Sequence, residues 1–153
     1  MINPEINKAF KNSVAQEKLF LKEAEFHKAL IEFNKAIEIN PADSDAYCWR
    51  GYAFVRSEQY EKAMTDFNKA IEINPDNGSA LEGRKSLFIK QGKMAEAIMD
   101  FNAIIEINKD DLEVWKDYMN RGNMHSKLGN LENALADYDR ALASYPDEWG
   151  RRK

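Results

Sequence analysis

The sequence predicts an all-α, right-handed solenoid of four stacked helix pairs, and three observations carry that expectation. The nonapeptide FNKAIEINP occurs at Phe33–Pro41 and again at Phe67–Pro75, with a diverged copy, FNAIIEINK, at Phe101–Lys109. Small alanines in equivalent settings, Ala29, Ala63, Ala97 and Ala134, are spaced by 34, 34 and 37 residues, the length of a supersecondary unit rather than a heptad. Three of the four copies close on a helix terminator, Asn40-Pro41, Asn74-Pro75 and Tyr145-Pro146, where proline lacks an N–H and restricts the residue before it.

The second helix of each unit follows from helical spacing. Four residues after each alanine stands a ring (Phe33, Phe67, Phe101, Tyr138), and three further on stands Ala36, Ala70, Ile104 or Ala141, so all share one face. The first helix is a second stripe upstream: Tyr47, Gly51 and Phe54, then Leu81 and Phe88, then Tyr118, Gly122 and His125. Small residues at Ala29, Gly51 and Ala63 let the paired helices approach closely.

These patterns resemble the tetratricopeptide repeat family. The resemblance rests on the 34-residue period, Tyr-x-x-x-Gly-x-x-Phe at Tyr47–Phe54, Ala-x-x-x-Phe-x-x-Ala at Ala63–Ala70, and Pro75. It places units at about 10–43, 44–77, 78–111 and 115–148 within a single domain over 1–153, with 1–9 opening an N-terminal capping helix and 149–153 forming a short tail. Unit one keeps only Phe20 of its first-helix stripe and has Glu17 where glycine is usual, as a terminal repeat would. Asn3-Pro4 reads as the N-cap and first residue of the opening helix. Unit three carries Lys85 in the glycine column and Lys109 in place of proline. The extra residues 112–114 are expected to lengthen the next helix by about one turn, with Asp110 or Asp111 as N-cap.

Composition narrows the function. The chain has 153 residues, 44% hydrophobic and 31% charged, which suits a folded soluble protein. Its 22 basic and 26 acidic residues give a net charge of −4 without any basic field, so neither nucleic acid nor an anionic membrane is an expected partner. A lone Cys48 cannot form an internal disulfide, and no Cys or His cluster has zinc-ligand spacing. The start, MINPEINKAF, lacks a signal-peptide pattern, and no apolar run reaches the roughly 18 residues that span a bilayer. A cytoplasmic protein is expected. His27 and His125 lie far apart with no acidic or cysteine neighbours suited to catalysis, and no phosphate-binding glycine loop or HExxH pair exists. Neither enzyme activity, nor a catalytic residue, metal or cofactor is expected; His125 and Cys48 read as packing residues.

The resemblance implies that first helices line a concave, peptide-binding groove. By helical spacing its stripe includes Lys22 in unit one, Asp45, Cys48, Tyr52, Val55 and Arg56 in unit two, and Ser79, Glu82, Ile89 and Lys90 in unit three. Unit four adds Lys116, Met119, Asn123 and Lys127. Lys22, Arg56, Lys90 and Lys127 share one column, a ladder that would favour a partner with acidic side chains or a free carboxylate. Lysine in that column also serves simply to solvate a helix end and complement its dipole. The Lys, Asn, Asn, Lys and Arg clamp of family members that hold chaperone C-termini is missing. Units two to four, for example, offer Cys48, Tyr52, Gly83, Lys116 and Asn120.

The expected function is therefore a non-catalytic scaffold or adaptor binding a protein or peptide. A self-associating module and a chaperone for secreted or assembling substrates are the alternatives. For the second of these three, the last helix presents Leu135, Tyr138, Leu142 and Tyr145, an apolar face unless covered. Trp149 folding back, a homodimer, or continuation in a larger parent would each cover it.

Overall fold

A computed structural model describes residues 25–146, so the expectations on Lys22, Phe20, Glu17, Asn3-Pro4 and Trp149 lie outside the described residues. Seven helices follow one another: α1 over 25–39, α2 (Ser44–Arg56), α3 (Tyr60–Ile73), α4 (Gly78–Lys90), α5 (Met94–Ile107), α6 (Val114–Lys127) and α7 (Leu131–Ser144). The architecture is the all-α repeat stack expected. Within units, α2 packs on α3, α4 on α5 and α6 on α7; between units, α3 packs on α4, α5 on α6, and α2 touches α4. Among the described residues each unit therefore meets only its neighbours, as in a quasi-one-dimensional solenoid.

The turns repeat as faithfully as the helices. The amides of Gln59, Lys93 and Asn130 each reach back five residues, to the carbonyls of Phe54, Phe88 and His125, at 2.9 Å. This Schellman closure requires a left-handed residue before each amide. Gly92 (φ 73°) and Gly129 (φ 77°) fill that position in units three and four, whereas unit two uses Glu58 (φ 61°).

Between units the Asn-Pro terminators work through asparagine as well as proline. The side chains of Asn40 and Asn74 accept from the amides of Ala42 (3.2 Å) and Asp76 (3.1 Å), forming tight turns after α1 and α3. Asp43 and Asn77 then cap α2 and α4 by accepting from the amides of Ala46 and Ala80. Asn77 also ties two units together: its Nδ2 donates to Ser44 Oγ (2.7 Å) and Asp45 Oδ1 (3.0 Å), and Ser44 Oγ donates to the Ala70 carbonyl.

The junction before α6 differs from the expected helix extension. α6 begins at Val114, and Glu113 caps it without a side-chain hydrogen bond. The added residues form a turn instead, because Asp111 Oδ1 accepts from the Glu113 amide (2.8 Å) and its own amide donates to the Asn108 carbonyl (2.8 Å). A side chain that captures an amide two residues on competes with helix propagation.

The alanine and aromatic columns form the core. Ala63, Phe67 and Ala70 are fully buried, as are Ala97, Phe101 and Ile104 one unit later. Phe67 is gripped from both sides: a Cβ on Gly51 of its own unit would lie 2.9 Å from its Cε1, and one on Gly83 of the next unit 2.4 Å from its Cζ. Gly122 stands similarly against Tyr138, at 2.8 Å. Lys85 takes this place in unit three, buried, with its ammonium 4.3 Å above the Phe101 ring and 2.6 Å from Glu82.

Candidate functional site

α2, α4 and α6 are the first helices of successive units, and their solvent-facing residues form the candidate surface. Arg56, Lys90 and Lys127 stand in the last turns of these three helices and are exposed. Cation-bearing side chains there also oppose the negative end of each helix dipole. Lys90 is partly engaged, donating to the Tyr60 hydroxyl with its ammonium 3.9 Å from that ring.

The other expected site residues divide by environment. Tyr52 is half-buried: its ring meets Phe67 edge-on at 5.0 Å, and its hydroxyl donates to the Ser79 carbonyl at 2.7 Å. Burial pushes that hydroxyl up to about 12, with smaller contributions from Cys48 and Glu82. Tyr52 thus joins α2 to α4 as well as facing outward. Asn123 is exposed, and its Oδ1 accepts from the Tyr138 hydroxyl at 2.9 Å. Cys48 corrects the expected stripe: it is 1% exposed and packs in the core with Ala63, Phe67 and Leu87. Its helical angle turns it just inward of Tyr52. Its neighbour Trp49 is the exposed aromatic instead, with its ring 5.8 Å from that of Tyr52.

A pocket of 350 Å³ lies where the start of α4 meets the end of α5. It is lined by Tyr52, Ser79, Glu82, Ile104, Ile107 and Asn108, with Gly78 at its rim. Beside Glu82 sits Asp117 of α6, whose carboxyl is raised above its ordinary range. Desolvation is the main cause and Glu82 and Asp111 add to it, while Lys85 and an Asn108 hydrogen bond oppose it. Glu82 was legible as a groove residue; its pairing with the buried Lys85 was not, since that depends on the lysine stem crossing Phe101. Among the described residues no His, Cys, Asp or Glu group is arranged to hold a metal ion, and no helix is long and apolar enough to cross a membrane. His125 is half-buried, and its Nδ1 lacks a hydrogen-bond partner.

A three-residue clamp binds the units to one another. Arg50, Arg84 and Arg121 each donate through Nε and Nη2 to both oxygens of an aspartate on the second helix of the same unit. These are Asp66, Asp100 and Asp137, at 2.5–3.0 Å. Each Nη1 reaches the side-chain oxygen of an asparagine in the preceding unit: Asn34 (2.7 Å), Asn68 (2.9 Å) and Asn102 (2.8 Å). The three aspartates are at most 4% exposed. Planar guanidinium recognised at both edges is a strong, directional arrangement. The signal lies in the repeating Arg, Asp and Asn columns, but polar residues at helical spacing do not by themselves distinguish a buried clamp from a solvated face.

No other described helix covers the outer side of α7. Leu135 and Leu142 are 64% and 72% exposed, joined by Leu131 and Tyr145, whereas Tyr138 is half-buried against Gly122. Tyr145 packs edge-on against Trp115 at 4.8 Å.

The tetratricopeptide repeat family model matches residues 44–77 and 115–148. No curated protein sequence matches the chain. Among solved structures, the N-terminal domain of stress-induced protein-1 (STI-1) from C. elegans is 22% identical. It covers 70% of this chain and 87% of its own, with a TM-score of 0.60. A crystal structure of MamA is 19% identical, covers 92% of this chain and 82% of its own, and has a TM-score of 0.67. At these identities the likeness concerns the fold, and the two matched units carry the columns from which the stack is built. Tetratricopeptide repeats are protein-interaction modules, typically non-catalytic, and the two units at 44–77 and 115–148 are matched as such repeats.

Proposed function

We propose that the chain is a non-catalytic adaptor that holds an acidic peptide or protein segment along the exposed side of α2, α4 and α6. The observation that carries this reading is the recurrence of Arg56, Lys90 and Lys127 in the last turn of each first helix, all exposed. A row of like charge steers an oppositely charged ligand and favours its alignment along the row. Tyr52 and Trp49 supply apolar area, and the pocket beside Glu82 and Asn108 gives a ligand side chain somewhere to enter. Lys22 would extend the row into unit one, and Asn123 would offer an amide one turn before Lys127 on the same face of α6.

The test is fluorescence anisotropy against a panel of acidic, neutral and basic peptides, using wild type and Arg56→Glu/Lys90→Glu. Acidic peptides should bind preferentially and lose at least about tenfold in affinity in the variant, which corresponds to about 1.4 kcal/mol. Circular dichroism should remain unchanged. Equal affinity of both proteins for acidic peptides would remove the charge row from the mechanism.

A further inference from the structure

We propose that the outer face of α7 is a docking surface for an arginine-bearing amphipathic helix of a partner protein. The helix would seat in the register that each internal junction already uses. At the junctions after α1, α3 and α5, the next first helix brings an arginine onto Asn34, Asn68 or Asn102. That same helix covers the apolar column beside the asparagine: Met64 and Ile71 on α3 are half-buried, as is Ile98 on α5, and Ile105 is buried. The corresponding residues of α7 are Leu135 and Leu142, and both are largely exposed.

The asparagine column itself changes chemistry at this face. Its fourth member is Asp139, exposed and in no ion pair among the described residues. A carboxylate there accepts a guanidinium in a charge-assisted pair, stronger than the neutral amide contact at the internal junctions. Glu132 lies two turns earlier on the same side, so an acidic edge runs beside the leucines. This face is thus matched to a cationic helix.

A second copy of the chain fits it poorly. Antiparallel two-fold pairing of α7 with itself would set the Glu132 and Asp139 edges of both copies against each other. Head-to-tail stacking would bring unit one, which by the 34-residue spacing offers Gln16 in the register of Arg50.

The probe is a stapled peptide with the sequence of 78–90, the α4 helix that carries Arg84, with its helicity established by circular dichroism. Titrated with the full chain, it should bind saturably, and Arg84→Gln in the peptide should weaken binding about tenfold. On Asp139→Ala protein that arginine advantage should fall below about twofold, and Leu135→Asp/Leu142→Asp should abolish binding while leaving helicity intact. Absence of saturable binding to wild type, equal affinity of the Arg and Gln peptides, or an advantage that survives Asp139→Ala would each overturn the proposal. So would binding that emerges only after removal of residues 147–153, which would make that segment the occupant. In sedimentation the protein should remain monomeric; a dimer lost in Leu135→Asp/Leu142→Asp would place a second copy on the face and overturn it too.

Discussion

At the scale of single residues, the departures from the repeat pattern are the informative positions. Glu58 occupies the left-handed place that Gly92 and Gly129 hold in the later units. A side chain in that conformation costs about 1–2 kcal/mol, partly offset by the freedom glycine gives the unfolded chain. Glu58→Gly should therefore raise stability by about 0.5–1 kcal/mol, read from the urea midpoint. Cys48 makes a second expectation. Its thiol is pushed up from 9.0 to about 11, by burial first and by Asp45 second. The folded chain thus resists thiolate formation: this contribution to stability is intact below pH 9 and is lost as pH rises toward 11. Over that interval wild type should lose stability more steeply than Cys48→Ala, and iodoacetamide should label the thiol only as fast as the chain opens.

At the scale of elements, the clamp matters more than any one ring. Arg84 satisfies Asp100, which is 1% exposed, and reaches Asn68 in the unit before. Removing one partner of a buried pair costs about 3–5 kcal/mol, because the other charge is left stranded. Arg84→Met should cost about that much in chemical denaturation, and Arg84→Met/Asp100→Leu should recover most of it. The helices themselves were legible in the sequence, since alanine, ring and terminator recur with a fixed spacing that only a helix pair satisfies. What escaped was how side chains resolve competing local options. Asp111 looked like a helix cap but captures the Glu113 amide in a turn, so α6 starts later than the spacing suggested. Cys48 sat on the expected exposed stripe, yet it is buried in the core while the next residue, Trp49, is exposed. Spacing defines a face to within a residue or so, and burial is decided inside that margin.

At the scale of the whole molecule, contacts between neighbours alone make stability a property of position. Among the described residues α7 is packed by other helices on one side only, so its amides should exchange with solvent sooner than those of α3 and α5 in native-state hydrogen exchange. Equal protection in α3, α5 and α7 would contradict this reading. The candidate binding surface was less legible than the fold for a related reason. The columns that build the stack repeat, whereas the pocket beside Tyr52, Glu82 and Asn108 arises from residues in different units that no period relates. The clamp has one last consequence. Arg50 links α1, α2 and α3, Arg84 links α3, α4 and α5, and Arg121 links α5, α6 and α7, so α3 and α5 are each grasped twice. The guanidinium series thereby couples each repeat to the one before it, so that removing a single arginine should loosen two units rather than one.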